Sequence, residues 1–211
     1  MIRIKCSLWI GAVLLIFAAH HCVAQTKTAT LMKGIGYRQL EPAGEECSDI
    51  EKLNLSWYYN WTPRPNCPET SEVEFIPMIW SDKYLVGENR DEFYAPLIGS
   101  DYSALLGFNE PNWKGQAEMS VEEALEYWPM LETTGLRLGS PATTGRSGLD
   151  WTIEFMKGAK LRGYRIDFLA LHWYGDCSGT TDLEGFLDYY DAFKMPMWLT
   201  EWSCYKQDMA T

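Results

Sequence analysis

Beyond its first two dozen residues, the 211-residue chain has one histidine, no Cys-x-x-Cys pair, few basic side chains and no long apolar run. Each shortage closes off a class of function. With no apolar run near the roughly 20 residues that cross a bilayer, no later segment reads as membrane-spanning. A lone His172 without paired cysteines argues against a structural or catalytic zinc, so no metal is expected. Neither Gly-x-x-x-x-Gly-Lys-Ser/Thr nor Gly-x-Gly-x-x-Gly occurs, which removes the usual phosphate and dinucleotide cradles, and no cofactor is expected. Gly-x-Ser-x-Gly is also missing, and with it the nucleophile elbow of serine esterases. With 18 basic against 29 acidic side chains, the net charge is −11. Such a surface repels nucleic acid and anionic membranes and suits a neutral ligand.

The one long apolar run lies at the start. Arg3 and Lys5 precede Trp9 to Ala19, and Cys22-Val23-Ala24 offers small residues for cleavage, so residues 1–24 read as a signal peptide and the protein as secreted. Two of the 18 basic residues and none of the 29 acidic ones fall in that leader, so its removal shifts the charge from −11 to −13. Cys47, Cys67, Cys177 and Cys204 remain, an even set for an exported chain. Four cysteines allow three pairings; the expected one is Cys47–Cys67 with Cys177–Cys204, each tying loops around neighbouring strands. Asn54 and Asn60 both match the glycosylation acceptor pattern, but the position of Asn60 beside the presumed groove argues against a glycan there.

What the chain does have is aromatic weight, 10 Trp and 12 Tyr, gathered near strand ends. Strands are expected at 33–37, 55–61, 74–80, from 105, and at 136–142, 166–174 and 195–202. Helical patterns lie between them at 81–98, 120–131, 149–161 and 182–193. Ser120-Val-Glu-Glu123 has the spacing of a capping box. Strands alternating with helices predict βαβ units and a parallel sheet, hence an α/β fold of the (β/α)8 TIM-barrel type. Seven strands are counted where such a barrel has eight, so residues 25–211 read as one catalytic domain, truncated after the seventh strand.

Two of these strands end in a carboxylate. Leu105-Leu-Gly-Phe-Asn-Glu-Pro111 runs from apolar residues into Glu110, and Met197-Trp-Leu-Thr-Glu-Trp202 carries Glu201. The C-terminal strand edge is where barrels of this type place catalytic groups. A pair of carboxylates is what glycoside hydrolysis requires, one to protonate the leaving oxygen and one to attack or to activate water. A single strand-end glutamate is ordinarily a surface residue; two at matching ends favour catalysis. Asn109 could donate to a hydroxyl beside the reacting carbon, and His172 to a carboxylate or hydroxyl. Tyr174, Trp57, Tyr59, Trp61, Trp80 and Trp202 are candidate sugar-binding faces, of which strand alternation is expected to leave only part in the groove.

Five segments in order, Ser56-Trp-Tyr-Tyr-Asn-Trp61, Pro77-Met-Ile-Trp80, Gly107-Phe-Asn-Glu-Pro111, Leu171-His-Trp-Tyr-Gly175 and Trp198-Leu-Thr-Glu201, resemble glycoside hydrolase family 128. The resemblance implies a (β/α)8 fold, retaining cleavage of β-1,3-glucan by endo action, Glu110 as acid/base and Glu201 as nucleophile. It also implies a groove of tryptophans and tyrosines for a curved glucan. The charge and the missing spanning segment predict no nucleic-acid or membrane partner after leader removal, and a monomer is expected where the barrel is complete. The last helices and eighth strand of that family have no counterpart before Thr211. A non-catalytic β-1,3-glucan-binding protein and a retaining β-1,4-glycanase are the alternatives.

Overall fold

The computed structural model describes residues 32–37, 47, 50, 52–67, 73–145, 147–177 and 181–205. The expected leader, residues 1–24, and most of the segment that follows it lie outside the described residues.

Seven strands follow in chain order: β1 (Gly34–Gly36), β2 (Trp57–Tyr59), β3 (Glu74–Phe75), β4 (Ala104–Leu105), β5 (Arg137–Leu138), β6 (Leu169–Asp176) and β7 (Met197–Tyr205). All strand pairs are parallel. Hydrogen bonding groups them as β1-β2-β3, β4-β5 and β6-β7. Parallel bridges Met78–Leu106, Asn109–Ala142 and Gly139–Phe168 continue the order from β3 to β6. β1 lies beside β7 without a ladder between them. The structure is therefore α/β with its strands in sequence order, drawn as three small sheets rather than one closed ladder. The middle strands are shorter than their apolar runs because Pro77 and Pro141 supply no N–H to a ladder.

Among the described residues, three long helices cover the strands: α1 (Val121–Thr133), α2 (Ser147–Arg162) and α3 (Thr181–Asp191). Ser120 and Glu123 close a reciprocal capping box at the start of α1, so two of its orphan N–H groups are satisfied. The 81–98 connection is not one helix. It is broken into short turns at Asp82–Tyr84, Gly87–Asn89, Arg90–Tyr94 and Ala95–Leu97. Gly87 in the left-handed region and Pro96 in the last turn interrupt regular i→i−4 bonding. No helix among the described residues is long and apolar enough to cross a membrane.

Alternation along the strands sorts the core into two layers. Tyr58 and Phe75 face outward and pack with Ile50. Trp57, Tyr59, Ile76, Met78, Leu106, Phe168 and Ala170 face the other way and form the inner cluster. Inside it, Trp57 stacks on Trp198 at 5.1 Å between ring centroids, and Phe168 stacks on Trp198 at 4.4 Å. Gly34 makes room for this column, since a Cβ there would fall 2.0 Å from the Trp57 ring. On the outer side, Phe108 on the β4 run meets Trp128 of α1, which in turn meets Phe155 of α2. These contacts fix β4 and its C-terminal extension, and hence the position of Glu110. Cys47 is bonded to Cys67, and Cys177 to Cys204; the second bond joins the chain just past β6 to β7.

Candidate active site

Glu110 sits where the β4 run leaves the sheet. Its φ of 44° lies in the left-handed region, a conformation that costs a non-glycine residue of order 1 kcal/mol or more. The N–H of Glu110 donates to Ala142 O at 2.7 Å, and its carbonyl accepts from Trp113 N at 2.9 Å, so both neighbouring segments hold the strained residue in place. Glu201 reaches the same place from β7 by way of a bulge. The ladder pairs Leu171 with Leu199 but His172 with Glu201, leaving Thr200 without a partner. In a strictly alternating strand, Glu201 would share the outward face of Leu199. The extra residue turns it inward beside His172. Thr200 is itself anchored, with Oγ1 donating to Leu171 O at 3.2 Å.

His172 lies between the two carboxylates with no exposed side-chain surface. Its Nδ1 shares a hydrogen bond with Glu110 Oε1 at 2.9 Å, and its Nε2 stands 3.4 Å from Glu201 Oε1 without a hydrogen-bond partner. One oxygen of each carboxylate and one nitrogen of His172 fall within 4.8 Å of one another. The carboxylates are only slightly open, with 8% and 17% of their side-chain surface exposed. Three donors converge on Glu201: Tyr59 Oη at 3.0 Å and Trp61 Nε1 at 2.7 Å, both to Oε1, and Tyr174 Oη at 2.5 Å to Oε2. Burial, with the charge of Glu201 adding to it, pushes the Tyr59 hydroxyl far above the ordinary tyrosine range, so it remains a donor. Trp61 makes its bond from a left-handed backbone, φ 59°. Glu110, His172 and Glu201 also form a set that could hold a divalent cation, although the three donors already occupy the Glu201 oxygens.

Asn109 is buried beside Glu110. Its Nδ2 donates to Gln116 Oε1 at 3.2 Å, and its Oδ1 is buried without a partner. Trp80, half-buried, is tied to the same edge by its carbonyl, which accepts from Asn109 N at 3.0 Å. A cavity of about 640 Å³ opens alongside, lined by His172, Trp173 and Tyr174 of β6 and by Asp182, Phe186 and Tyr190 of α3.

The candidates from the sequence therefore divide. Glu110, Glu201, His172 and Tyr174 meet in one cluster, joined by Tyr59 and Trp61, whose polar atoms point at Glu201. Trp57 does not join them. It is 5% exposed and belongs to the inner core, because the residue two before Tyr59 on the same face lies one layer deeper. Trp202 is exposed but follows Glu201 directly, so alternation sends it to the opposite face. Asn60 is buried, and its Nδ2 donates to Arg64 O and Asn66 Oδ1, which leaves its amide engaged inside the protein. Gln116 and the bulge at Thr200 escape sequence reasoning. Neither has a spacing signal, since one lies in a loop and the other looks like ordinary strand.

Parallel strands and covering helices that bring two carboxylates to one edge, within reach of a single sugar carbon, define a glycosidase-type catalytic core. The chain belongs to the glycosyl hydrolase catalytic core family, whose model matches residues 34–211, and within it to glycoside hydrolase family 128. Solved structures of that family are similar to it, among them the following three. A subgroup I endo-β-1,3-glucanase from Amycolatopsis mediterranei, in complex with laminaritriose, is 35% identical with a TM-score of 0.71, over 85% of this chain and 74% of that one. A subgroup II endo-β-1,3-glucanase from Sorangium cellulosum is 29% identical with a TM-score of 0.70, over 84% and 76%. A subgroup III curdlan-specific exo-β-1,3-glucanase from Blastomyces gilchristii is 28% identical with a TM-score of 0.67, over 83% and 77%. Among curated proteins, alkali-sensitive linkage protein 1 of Schizosaccharomyces pombe is 29% identical over 161 residues. The match takes in 73% of this chain but only 28% of that protein's length.

Proposed function

We propose that this chain is a secreted β-1,3-glucanase that cleaves with retention of configuration, on a (β/α)8-type scaffold of which β1–β7 are described. The observation that carries this reading is the approach of Glu110 and Glu201 oxygens to within 4.8 Å. Retaining enzymes hold their carboxyls about 5–5.5 Å apart, whereas inverting ones leave about 6.5–9.5 Å for a water. The similarity to enzymes crystallised with laminari-oligosaccharides supports β-1,3-glucan as the substrate.

In the first step, a Glu201 oxygen attacks the anomeric carbon while Glu110 gives its proton to the glycosidic oxygen. The bond to the leaving sugar breaks, and a glycosyl ester forms on Glu201. In the second step, Glu110, now a carboxylate, takes a proton from water as the water oxygen attacks the same carbon and releases Glu201. Tyr59, Trp61 and Tyr174 fix the plane of the nucleophile, and His172 holds Glu110. The second side-chain N–H of Asn109, beyond the one given to Gln116, serves a hydroxyl of the bound sugar.

The test is a reducing-sugar assay on laminarin, with NMR of the first product anomer, beside a pull-down on insoluble β-1,3-glucan. Release of the β-anomer first supports retention, and the α-anomer first overturns it. Pull-down without release identifies a glucan-binding protein instead. Release from cellulose or mannan but not laminarin would move the substrate to β-1,4-glycans.

A further inference from the structure

Asn60 lies between Tyr59 and Trp61, whose donors both end on Glu201 Oε1, but its own amide turns away from that carboxylate into the loop that follows. It is buried, with 7% of its surface exposed. Its Oδ1 accepts from Thr62 N at 3.2 Å, which closes a side-chain turn over residues 60–62. Trp61 is the middle residue of that turn and takes its left-handed φ of 59° there. Bulky residues avoid this region of backbone space, so a Trp stays in it only where its neighbours hold it. The carbonyl of the Asn60 side chain supplies that hold.

The other half of the amide ties down the far limb of the loop. Nδ2 donates to Arg64 O at 2.8 Å and to Asn66 Oδ1 at 3.1 Å. The Thr62 hydroxyl stands between Asn60 Oδ1 at 2.9 Å and Arg64 O at 2.8 Å. Both amide hydrogens are therefore in use and the carbonyl oxygen is enclosed by Thr62, which leaves Asn60 nothing to offer a sugar hydroxyl. The loop is fastened outward as well. Met78 N donates to Thr62 O at 3.1 Å, the Arg64 guanidinium pairs with Glu92 and covers the Phe93 ring, and Cys67 is bonded to Cys47. The Asn60 amide connects this anchored loop to the backbone of Trp61.

We infer that Asn60 is a positioning residue for Glu201: it holds the Trp61 backbone so that the indole N–H meets Glu201 Oε1, and it does so without touching substrate. The Trp61 ring meets Tyr59 at 5.0 Å between centroids but is only half-buried, so packing by itself leaves it room to turn away. The effect on turnover rests on the glucanase reading above; the effect on the bond between Trp61 and Glu201 does not. A carboxylate whose plane wanders reaches the attacking geometry less often. Loss of Asn60 therefore slows bond making and leaves affinity for glucan largely intact.

The experiment compares Asn60→Ala and Asn60→Asp with the parent on laminarin, each also in a Trp61→Phe background. Asn60→Ala should lower kcat about tenfold and hold KM within about twofold, the pattern of an interaction used in the transition state rather than in binding. In the Trp61→Phe background the same replacement should cost no further activity, because the donor it positions is already gone. Asn60→Asp keeps the acceptor for Thr62 N and should recover part of the loss. In parallel, heteronuclear NMR follows the Trp61 indole N–H, assigned by its absence from Trp61→Phe; its proton resonance should move upfield in Asn60→Ala as the bond to the carboxylate is lost. An undiminished kcat or an unmoved indole resonance overturns the inference. So does an equal loss in both backgrounds, which marks Asn60 as part of the general fold. Where Asn60→Ala fails to fold, Asn60→Asp takes its place with the same readouts and the same criteria. If the parent turns over no glucan, the glucanase reading fails and the indole resonance alone decides: a displaced resonance upholds the positioning role, and an unmoved one removes it.

Discussion

The indole N–H of Trp61 donates to Glu201 Oε1 at 2.7 Å, across 140 residues of sequence. The backbone of Trp61 is held at φ 59° where it makes this bond, a conformation that bulky residues rarely adopt. Together with Tyr59 and Tyr174 it leaves the carboxylate little freedom to rotate, so the orientation of Glu201 is set before any substrate arrives.

Trp61→Phe keeps an aromatic side chain, though a smaller one, and removes the donor. A hydrogen bond to a charged group is worth about 1.5–3 kcal/mol, so kcat should fall about 10- to 100-fold. The melting temperature should stay close to that of the parent. Steady-state kinetics and calorimetry check the two halves, and an unchanged kcat would show that the bond does not aim Glu201.

The two glutamates should respond differently to replacement. Glu201→Gln should abolish turnover of all glucosides, since no glycosyl ester can form. Glu110→Ala should cripple laminarin but spare the first step on aryl glycosides with good leaving groups. Azide should restore Glu110→Ala and give a β-glycosyl azide, whereas azide with Glu201→Ala should give the α-azide. Product analysis by NMR reads the outcome, and exchanged anomers would reverse the assignments.

Alkaline stability should report Tyr59. Burial raises the pKa of its hydroxyl in the folded protein, so the unfolded chain is the first to lose that proton as pH rises past the ordinary value of 10.0. The stabilisation is whole below that pH and drains away above it, by about 1.4 kcal/mol per pH unit for this one group. Denaturant unfolding between pH 9 and 11 should therefore show a steeper loss for the parent than for Tyr59→Phe. Parallel slopes would refute the coupling.

The Cys177–Cys204 bond closes a loop with a sequence separation of 27. A cross-link over a loop of that size constrains the unfolded chain by about 3.5 kcal/mol. Replacing both cysteines with serine should lower stability by about that amount. It should lower kcat as well, because the link joins the ends of β6 and β7, which carry Tyr174 and Glu201. Chemical denaturation and laminarin turnover test the two effects separately.

The sequence by itself determined the strand order, the α/β class and the pair of carboxylates. Those features are local: an apolar run, a helical period, or a polar residue where a strand stops. Capping at Ser120 was legible for the same reason, as its partners lie three residues apart. Three further features were decided only by the tertiary structure. Trp57 and Trp61 sit in one short aromatic segment, yet Trp57 fills the core against Trp198 while Trp61 reaches Glu201; depth along the strand direction separates them, and no residue pattern encodes depth. Glu201 faces inward only because Thr200 drops out of the ladder, a choice made by the pairing of β7 with β6 rather than by the alternation within β7. Gln116 touches Asn109 because the loop after Pro111 folds back on the strand end, where a buried amide must find a partner.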